Sequence, residues 1–187
     1  RKLHIIDREV RKGNWFKPAG ISTQNKKVGI VGFGDIGKSL ARKLLAFNME
    51  VVAYDPFAQS EFGVKLQQFP QDIESLDFLF LTSALNSSTK GMVNKIILQK
   101  LKSTCIIINV SRGPIIVEQD LIEALESESL GGAGLDVFET EPLSLDSPLH
   151  KFDNCIFGSH NGSNTIEAVH KTSYKAIGLL SDFLNIN

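Results

Sequence analysis

Three side chains of different chemistry stand in loops rich in glycine and proline. Arg112 lies in Asn109-Val110-Ser111-Arg112-Gly113-Pro114, Glu141 in Glu139-Thr140-Glu141-Pro142, and His160 in Gly158-Ser159-His160-Asn161-Gly162. A guanidinium presents a rigid fork to a carboxylate or carbonyl. A carboxylate beside an imidazole stabilises the imidazolium, which can pass a proton to a carbonyl oxygen as hydride reaches the carbon. Taken singly, each residue has a plainer reading: a solvated or salt-bridged Arg, a Glu in a Glu-Pro turn, a hydrogen-bonded structural His. As a set they suit proton transfer to a substrate that the arginine anchors and orients.

A second pattern tells where hydride would come from. Gly32-Phe33-Gly34-Asp35-Ile36-Gly37 is G-x-G-x-x-G directly after an apolar run and at the mouth of an amphipathic one. The first glycine permits a tight turn, the second lets a pyrophosphate approach the backbone, and the third lets helix and strand pack closely. Helix N–H groups and the positive end of the helix dipole would then hold the phosphates. Glycines alone leave a simple strand–helix turn open. Asp55, eighteen residues beyond Gly37, stands where an acid would accept hydrogen bonds from both adenosine ribose hydroxyls and repel a 2′-phosphate. An Asp-Pro turn is its plainer role. The expected cofactor is NAD(H) rather than NADP(H), with Asp136 offering acceptor oxygens to the nicotinamide carboxamide.

These residues need a scaffold that gathers loops on one edge. From Lys26 onward, short β-branched runs alternate with amphipathic stretches. Strands are expected at Lys27–Val31, Val51–Tyr54, Leu76–Leu81, Cys105–Val110, Leu135–Phe138 and Phe152–Phe157. Helices are expected at Asp35–Phe47, Asn94–Leu101, Glu118–Glu126 and Ile166–Leu184. The first of these helices carries Ile36, Leu40, Leu44 and Phe47 on one stripe. The last carries Ile166, Val169, Ala176, Ile177, Leu180 and Leu184. The alternation implies an α/β fold, a Rossmann-type doubly wound parallel sheet with helices on both faces. Ligands bind such sheets beyond the carboxyl ends of the strands. The loops bearing Arg112, Asp136, Glu141 and His160 all follow proposed strands.

Composition narrows the partners. In 187 residues, 20 Lys+Arg against 21 Asp+Glu leave no basic excess for a phosphate backbone, so no nucleic-acid partner is expected. No apolar run approaches the ~20 residues of a membrane span, and no cationic leader with an apolar stretch opens the chain, so neither membrane insertion nor secretion is expected. Cys105 and Cys155 lie in apolar runs and read as buried thiols of a protein in the reducing cytoplasm. His4, His150 and His170 read as surface or packing residues. No ligand spacing suggests a metal. Leu3, Ile6 and Val10 follow a helical spacing with no capping residue before it, which fits either a frayed helix or a chain cut within one.

With these residues on the page, the sequence resembles the NAD-binding domain of the D-isomer-specific 2-hydroxyacid dehydrogenases. The resemblance is carried by segments 28–37, 54–57, 108–118, 134–143 and 159–169, and it runs over essentially the whole chain. It implies that Arg112 binds substrate and that Glu141 supports a catalytic His160. It implies that Asp35 and Ile36 contact the cofactor diphosphate. It also implies that Val110, Ser111, Asp136 and the turn His160-Asn161-Gly162-Ser163 lie near the nicotinamide. The chain departs from the family pattern at Ser159, where proline is common, at Val117, where aspartate is common, and at Ala84 in a segment that commonly ends in Pro-Leu.

The resemblance further implies a division of the chain. Residues 1–25 would be a helix and linker entering from a substrate domain, 26–164 the NAD-binding domain, and 165–187 a closing helix returning toward that domain. A homodimer would form through segments 1–25 and 139–150. The enzyme would move hydride between NAD(H) and a small D-2-hydroxy acid or 2-oxo acid, 3-phosphoglycerate being one candidate. This fragment alone would be inactive. The alternative is an NAD-sensing, corepressor-like scaffold on the same fold.

Overall fold

The computed structural model describes residues 1–185; the last two positions of the expected closing segment 165–187 lie outside them. Seven parallel strands form one sheet in the order β3-β2-β1-β4-β5-β6-β7. They are β1 (Lys27–Val31), β2 (Glu50–Tyr54), β3 (Lys65–Gln67), β4 (Phe78–Leu81), β5 (Ile106–Asn109), β6 (Gly132–Leu135) and β7 (Cys155–Phe157). The order reverses between β1 and β4, which is the crevice where such sheets take ligands. The helices are α1 (Leu3–Arg11), α2 (Asp35–Ala46), α3 (Lys95–Leu98), α4 (Glu118–Glu126) and α5 (Ile166–Leu184).

The side-chain period of two divides the core. Val28, Ile30, Val51 and Ala53 face α2 with Phe33, Ala41 and Leu44. Val31, Val52, Tyr54, Leu79, Leu81 and Ile107 face the opposite layer, where Leu98 of α3 and Leu121 and Leu125 of α4 pack. Covering both faces explains why the central strands are apolar throughout rather than alternating.

Several expected boundaries move. The strand expected at Leu135–Phe138 is β6, Gly132–Leu135, because the glycine-rich run pairs between two neighbours: Gly131 N–H donates to the Cys105 carbonyl and Ala133 N–H to that of Asn154. The β4 strand starts at Phe78, not Leu76, whose N–H closes a turn on Ile73. The β7 strand starts at Cys155, since Phe152 closes the turn over Pro148–Lys151. The α3 helix ends at Leu98 because Lys100 and Leu101 bond back three residues, tightening the chain into a turn. The β3 strand, three residues long, has too little alternation to be read from the sequence.

The buried stripe of α2 is Gly37, Ala41 and Leu44, while Ile36 and Phe47 are exposed. The helix lies so close to the sheet that a Cβ on Gly37 would sit 2.2 Å from the Gly32 carbonyl oxygen, so small residues take the inner face. At the other end of the chain, α5 spans the expected residues and is capped by the Thr165 hydroxyl, yet none of its residues is buried. Ile166, Val169, Ile177, Leu180 and Leu184 on its apolar side are all exposed. The α1 helix likewise buries nothing and is moored through Arg8 to Asp153, at 2.9 Å, and through His4 to the Asp153 carbonyl.

Candidate active site

The crevice begins at the glycine turn. Gly32 turns with φ +92°, its N–H donating to the Tyr54 carbonyl and its carbonyl accepting from Thr82 Oγ1 at 2.7 Å. Phe33 N–H donates to Asp55 Oδ2 at 2.8 Å, and Phe57 N–H to Oδ1 at 2.9 Å. Asp55 therefore fastens the glycine turn to the end of β2. Each oxygen keeps a further lone pair, and Asp55 lines the crevice. A cleft of ≈ 960 Å³ runs from Gly32 and Gly34 past Asp55 and Phe57 to Gln68 and Phe69, with Thr82 to Ala84 on its far wall.

Three observations show that this cleft fits a dinucleotide. No side chain caps the N-terminus of α2, so its first-turn N–H groups are free for an anion. A Cβ on Gly34 would meet nothing within 4 Å, which leaves the backbone open to close approach. Among the described residues, Ser83 Oγ, in the cleft wall, is the buried side-chain polar atom that lacks a hydrogen-bond partner.

The three candidate side chains follow the ends of β5, β6 and β7, which the register places side by side, with Asn109 opposite Leu135 and Leu135 opposite Phe157. His160 Nδ1 meets Glu141 Oε2 at 2.8 Å. Glu141 Oε1 accepts from Phe138 N–H at 3.0 Å. The bond from His160, then that from Phe138, holds the Glu141 carboxyl below its ordinary range. An ionised carboxylate only accepts, so the proton of the contact belongs to Nδ1. Nε2 is left without a partner among the described residues. About half of the histidine side chain (47%) and a third of the glutamate (35%) are open to solvent.

Arg112 lies in the adjacent loop, but its guanidinium is folded onto the Ser111 carbonyl at 2.6 Å and makes no ion pair among the described residues. The structure thus brings Glu141 and His160 into contact and leaves Arg112 as their neighbour. Its loop is pressed against theirs: a Cβ on Gly113 would lie 1.8 Å from the Phe138 carbonyl oxygen. The turn is shaped by Asn109, buried at the end of β5, whose carboxamide accepts from Ser111 N–H and Oγ and donates to the Arg112 carbonyl.

The remaining expected contacts divide. Asp35, Ile36, Val110, Asn161, Gly162 and Ser163 are exposed and do not line the cleft. Ser111 is buried with its hydroxyl spent on Asn109. Asp136 Oδ1 accepts from Asn161 N–H and Oδ2 from Gly162 N–H, which ties the carboxylate to the later turn while each oxygen keeps a further lone pair. Asn109, Thr82 and Ser83 were missed by the reading of the sequence. A polar Asn closing an all-isoleucine strand was the available signal for the first; Thr82 and Ser83 carry none. Burial pushes the Cys105 thiol up to about 12 and the Cys155 thiol to about 11, so neither is a nucleophile at neutral pH.

Residues 1–162 match a family model described as the D-isomer specific 2-hydroxyacid dehydrogenase NAD-binding domain. A probable 2-ketogluconate reductase of Dictyostelium discoideum is 36% identical over the whole chain and over 59% of its own length. The D-lactate dehydrogenase of Lactobacillus jensenii, solved with NAD+, superposes with a TM-score of 0.80 at 27% identity over 91% of this chain and 57% of its own. A D-isomer specific 2-hydroxyacid dehydrogenase of Xanthobacter autotrophicus, solved with NADPH and MES, does so at 0.79 and 30% over 89% and 54%. The chain spans between a third and three fifths of the length of the curated relatives it matches.

Proposed function

Because this chain belongs to the D-isomer-specific 2-hydroxyacid dehydrogenases and is their NAD-binding domain, we propose that it serves a longer enzyme that interconverts a D-2-hydroxy acid and its 2-oxo acid. The observation that carries this reading is the 2.8 Å contact between Glu141 and His160 at the same strand edge as the glycine-turn cleft. When bound, the nicotinamide gives or takes hydride. Gly32, Gly34, Asp35, Ile36 and Gly37 would hold the diphosphate, and Asp55 the adenosine ribose. No Lys or Arg lines the cleft among the described residues, which favours NAD(H) over its 2′-phosphorylated form.

His160 holds the transferable proton at Nε2, facing the substrate carbonyl oxygen. Glu141 accepts from Nδ1, fixes that tautomer and stabilises the charged ring. Arg112, released from the Ser111 carbonyl, would pair with the substrate carboxylate through two parallel N–H bonds. Cofactor contacts near the nicotinamide from Val110, Ser111, Asp136, Asn161, Gly162 and Ser163 belong to the same reading. A second wall, supplied by the rest of the longer enzyme, would exclude water, so residues 1–187 alone should turn over negligibly.

The test is an assay of the full-length protein with NADH against 2-oxo acids of increasing size. The turn 159–165 resembles phosphoglycerate dehydrogenase-type members and puts the oxidation product of 3-phosphoglycerate first. NADH oxidation with at least one acid is the expected result. Binding of NADH with no turnover of any acid would overturn the reading.

The relatives named above are all reductases or dehydrogenases, and nothing among them favours a corepressor-like scaffold. The domain division at 25/26 and 164/165 is part of the proposal, supported by α1 and α5, which bury no residue of their own. So is a homodimer through 1–25 and 139–150, where Trp15 is 84% exposed, to be read by sedimentation of the full-length protein. A cytoplasmic setting is proposed on the two free, buried cysteines.

A further inference from the structure

His160 occupies a backbone conformation that an L-residue with a side chain rarely adopts, with φ +56°. Something must hold it there, and the backbone N–H bonds of residues 160–162 all go to one residue. The His160 N–H donates to the Asp136 carbonyl at 2.7 Å. Asn161 N–H donates to Asp136 Oδ1 at 3.0 Å, and Gly162 N–H to Oδ2 at 2.8 Å. Three successive N–H groups of the turn thus converge on one aspartate.

The packing around that carboxylate is equally tight. A Cβ on Gly158 would lie 2.1 Å from Asp136 Oδ1, and one on Gly162 2.9 Å from Oδ2. Two glycines that the tight turn alone does not require, since neither has a positive φ, leave the space the carboxylate occupies. The Asp136 N–H in turn donates to the Asn109 carbonyl, so the tether is anchored to the end of β5.

We propose that Asp136 is a positioning residue that acts through His160, its carboxylate locking the 158–162 turn so that the imidazole meets Glu141 with Nε2 turned to the substrate. This deepens the dehydrogenase reading and rests on it for its kinetic consequence. Asp136 makes two charge-assisted bonds to backbone, and an amide in its place would set its own NH2 against one of those N–H donors. His160 would then relax from the left-handed conformation, and the ring would leave Glu141.

The experiment uses the full-length protein and three variants: Asp136→Asn, Gly158→Ala, and Gly162→Ala as the mild one that keeps folding secure. For Asp136→Asn and Gly158→Ala, the expected result is a kcat at least tenfold lower, with NADH affinity within twofold of the parent. Gly162→Ala should lose several-fold in the same direction. A tether also predicts that the amide proton resonances of Asn161 and Gly162 and the ring resonances of His160 move together in Asp136→Asn, a readout available whether or not the protein turns over a 2-oxo acid. Two results would overturn the proposal. One is weakened NADH binding with kcat at saturating cofactor retained, as expected if Asp136 served the nicotinamide carboxamide. The other is unchanged Asn161, Gly162 and His160 resonances. Moved resonances in a protein that reduces no 2-oxo acid would uphold the tether and count against the dehydrogenase reading alone.

Discussion

The two halves of the sheet's carboxyl edge are finished to different degrees. Around β1 and β2, the glycine turn, Asp55, the Gln68–Phe69 segment and Thr82–Ser83 enclose a cleft of ≈ 960 Å³ from several sides. Around β5 to β7, the Glu141–His160 pair stands on an open surface, and Arg112 rests on a backbone carbonyl. The first region is a half-open cleft and the second a single wall. A binding site for the adenosine half of a dinucleotide needs only the loops of one Rossmann sheet. A reaction chamber must also shut out water and place a second molecule, which calls for surface this sheet does not supply. The contrast matches the share of its relatives' length that the chain spans.

If that division holds, damage to each region should leave the other's property intact. The largest effect belongs to the open edge. In the full-length protein, His160→Ala should cut kcat by roughly 10²–10⁴, the contribution of a positioned proton donor, with NADH titration by fluorescence unchanged. At the cleft end, Asp55→Ala removes charge-assisted bonding to the ribose worth about 1.5–3 kcal/mol for a single bond, so NADH affinity should fall at least ~10-fold while kcat at saturation persists. Loss of turnover at saturating NADH in that variant would break the division.

A third prediction concerns pH. Glu141 is held below its ordinary 4.5 in the folded protein, so its stabilising contribution is complete above 4.5 and vanishes as pH falls through the lowered value. Urea unfolding at pH 3 to 6 should show an acid-side loss that Glu141→Gln flattens. In kinetics the same variant should lose on the order of tenfold in kcat, because the imidazolium then lacks its counter-charge.

The smallest effect is a control at the opposite, amino edge of the sheet. There Asp77 accepts from Lys27 N–H at 2.9 Å and from Lys102 Nζ at 3.1 Å. Asp77→Asn should cost about 1–3 kcal/mol of unfolding free energy and alter neither kcat nor NADH affinity.

What could be read from the sequence follows from what each feature depends on. The glycine turn, Asp55 and the order of strands and helices are set by local chemistry, since a tight turn needs glycine and a buried strand needs β-branched residues. The glycine turn and the α/β alternation stand in the structure as the sequence implied, apart from the unexpected β3, and α5 spans the expected residues. The pairing of Glu141 with His160 was inferable because both loops had to share one edge. What the sequence hid depends on spatial neighbours. Gly132–Gly134 lay outside the strand expected at Leu135–Phe138 and are strand, because Cys105 and Asn154 stand ready to pair with this run. Ile36 and Phe47 looked like a buried stripe, but the closeness of Gly37 to Gly32 turned the helix the other way. The ties of Asp136 to the later turn were hidden because no one-dimensional pattern shows that three of that turn's amides point at it.

The central claim is that one dinucleotide spans both regions, its adenosine in the cleft and its reactive ring beside the histidine. A crystal structure of the full-length protein with NADH and an unreactive 2-oxo acid analogue measures this most directly. The predicted result is adenosine between Gly34 and Asp55, with the analogue's carbonyl oxygen roughly 3 Å from His160 Nε2. A dinucleotide bound elsewhere, or one whose nicotinamide points away from His160, would contradict it.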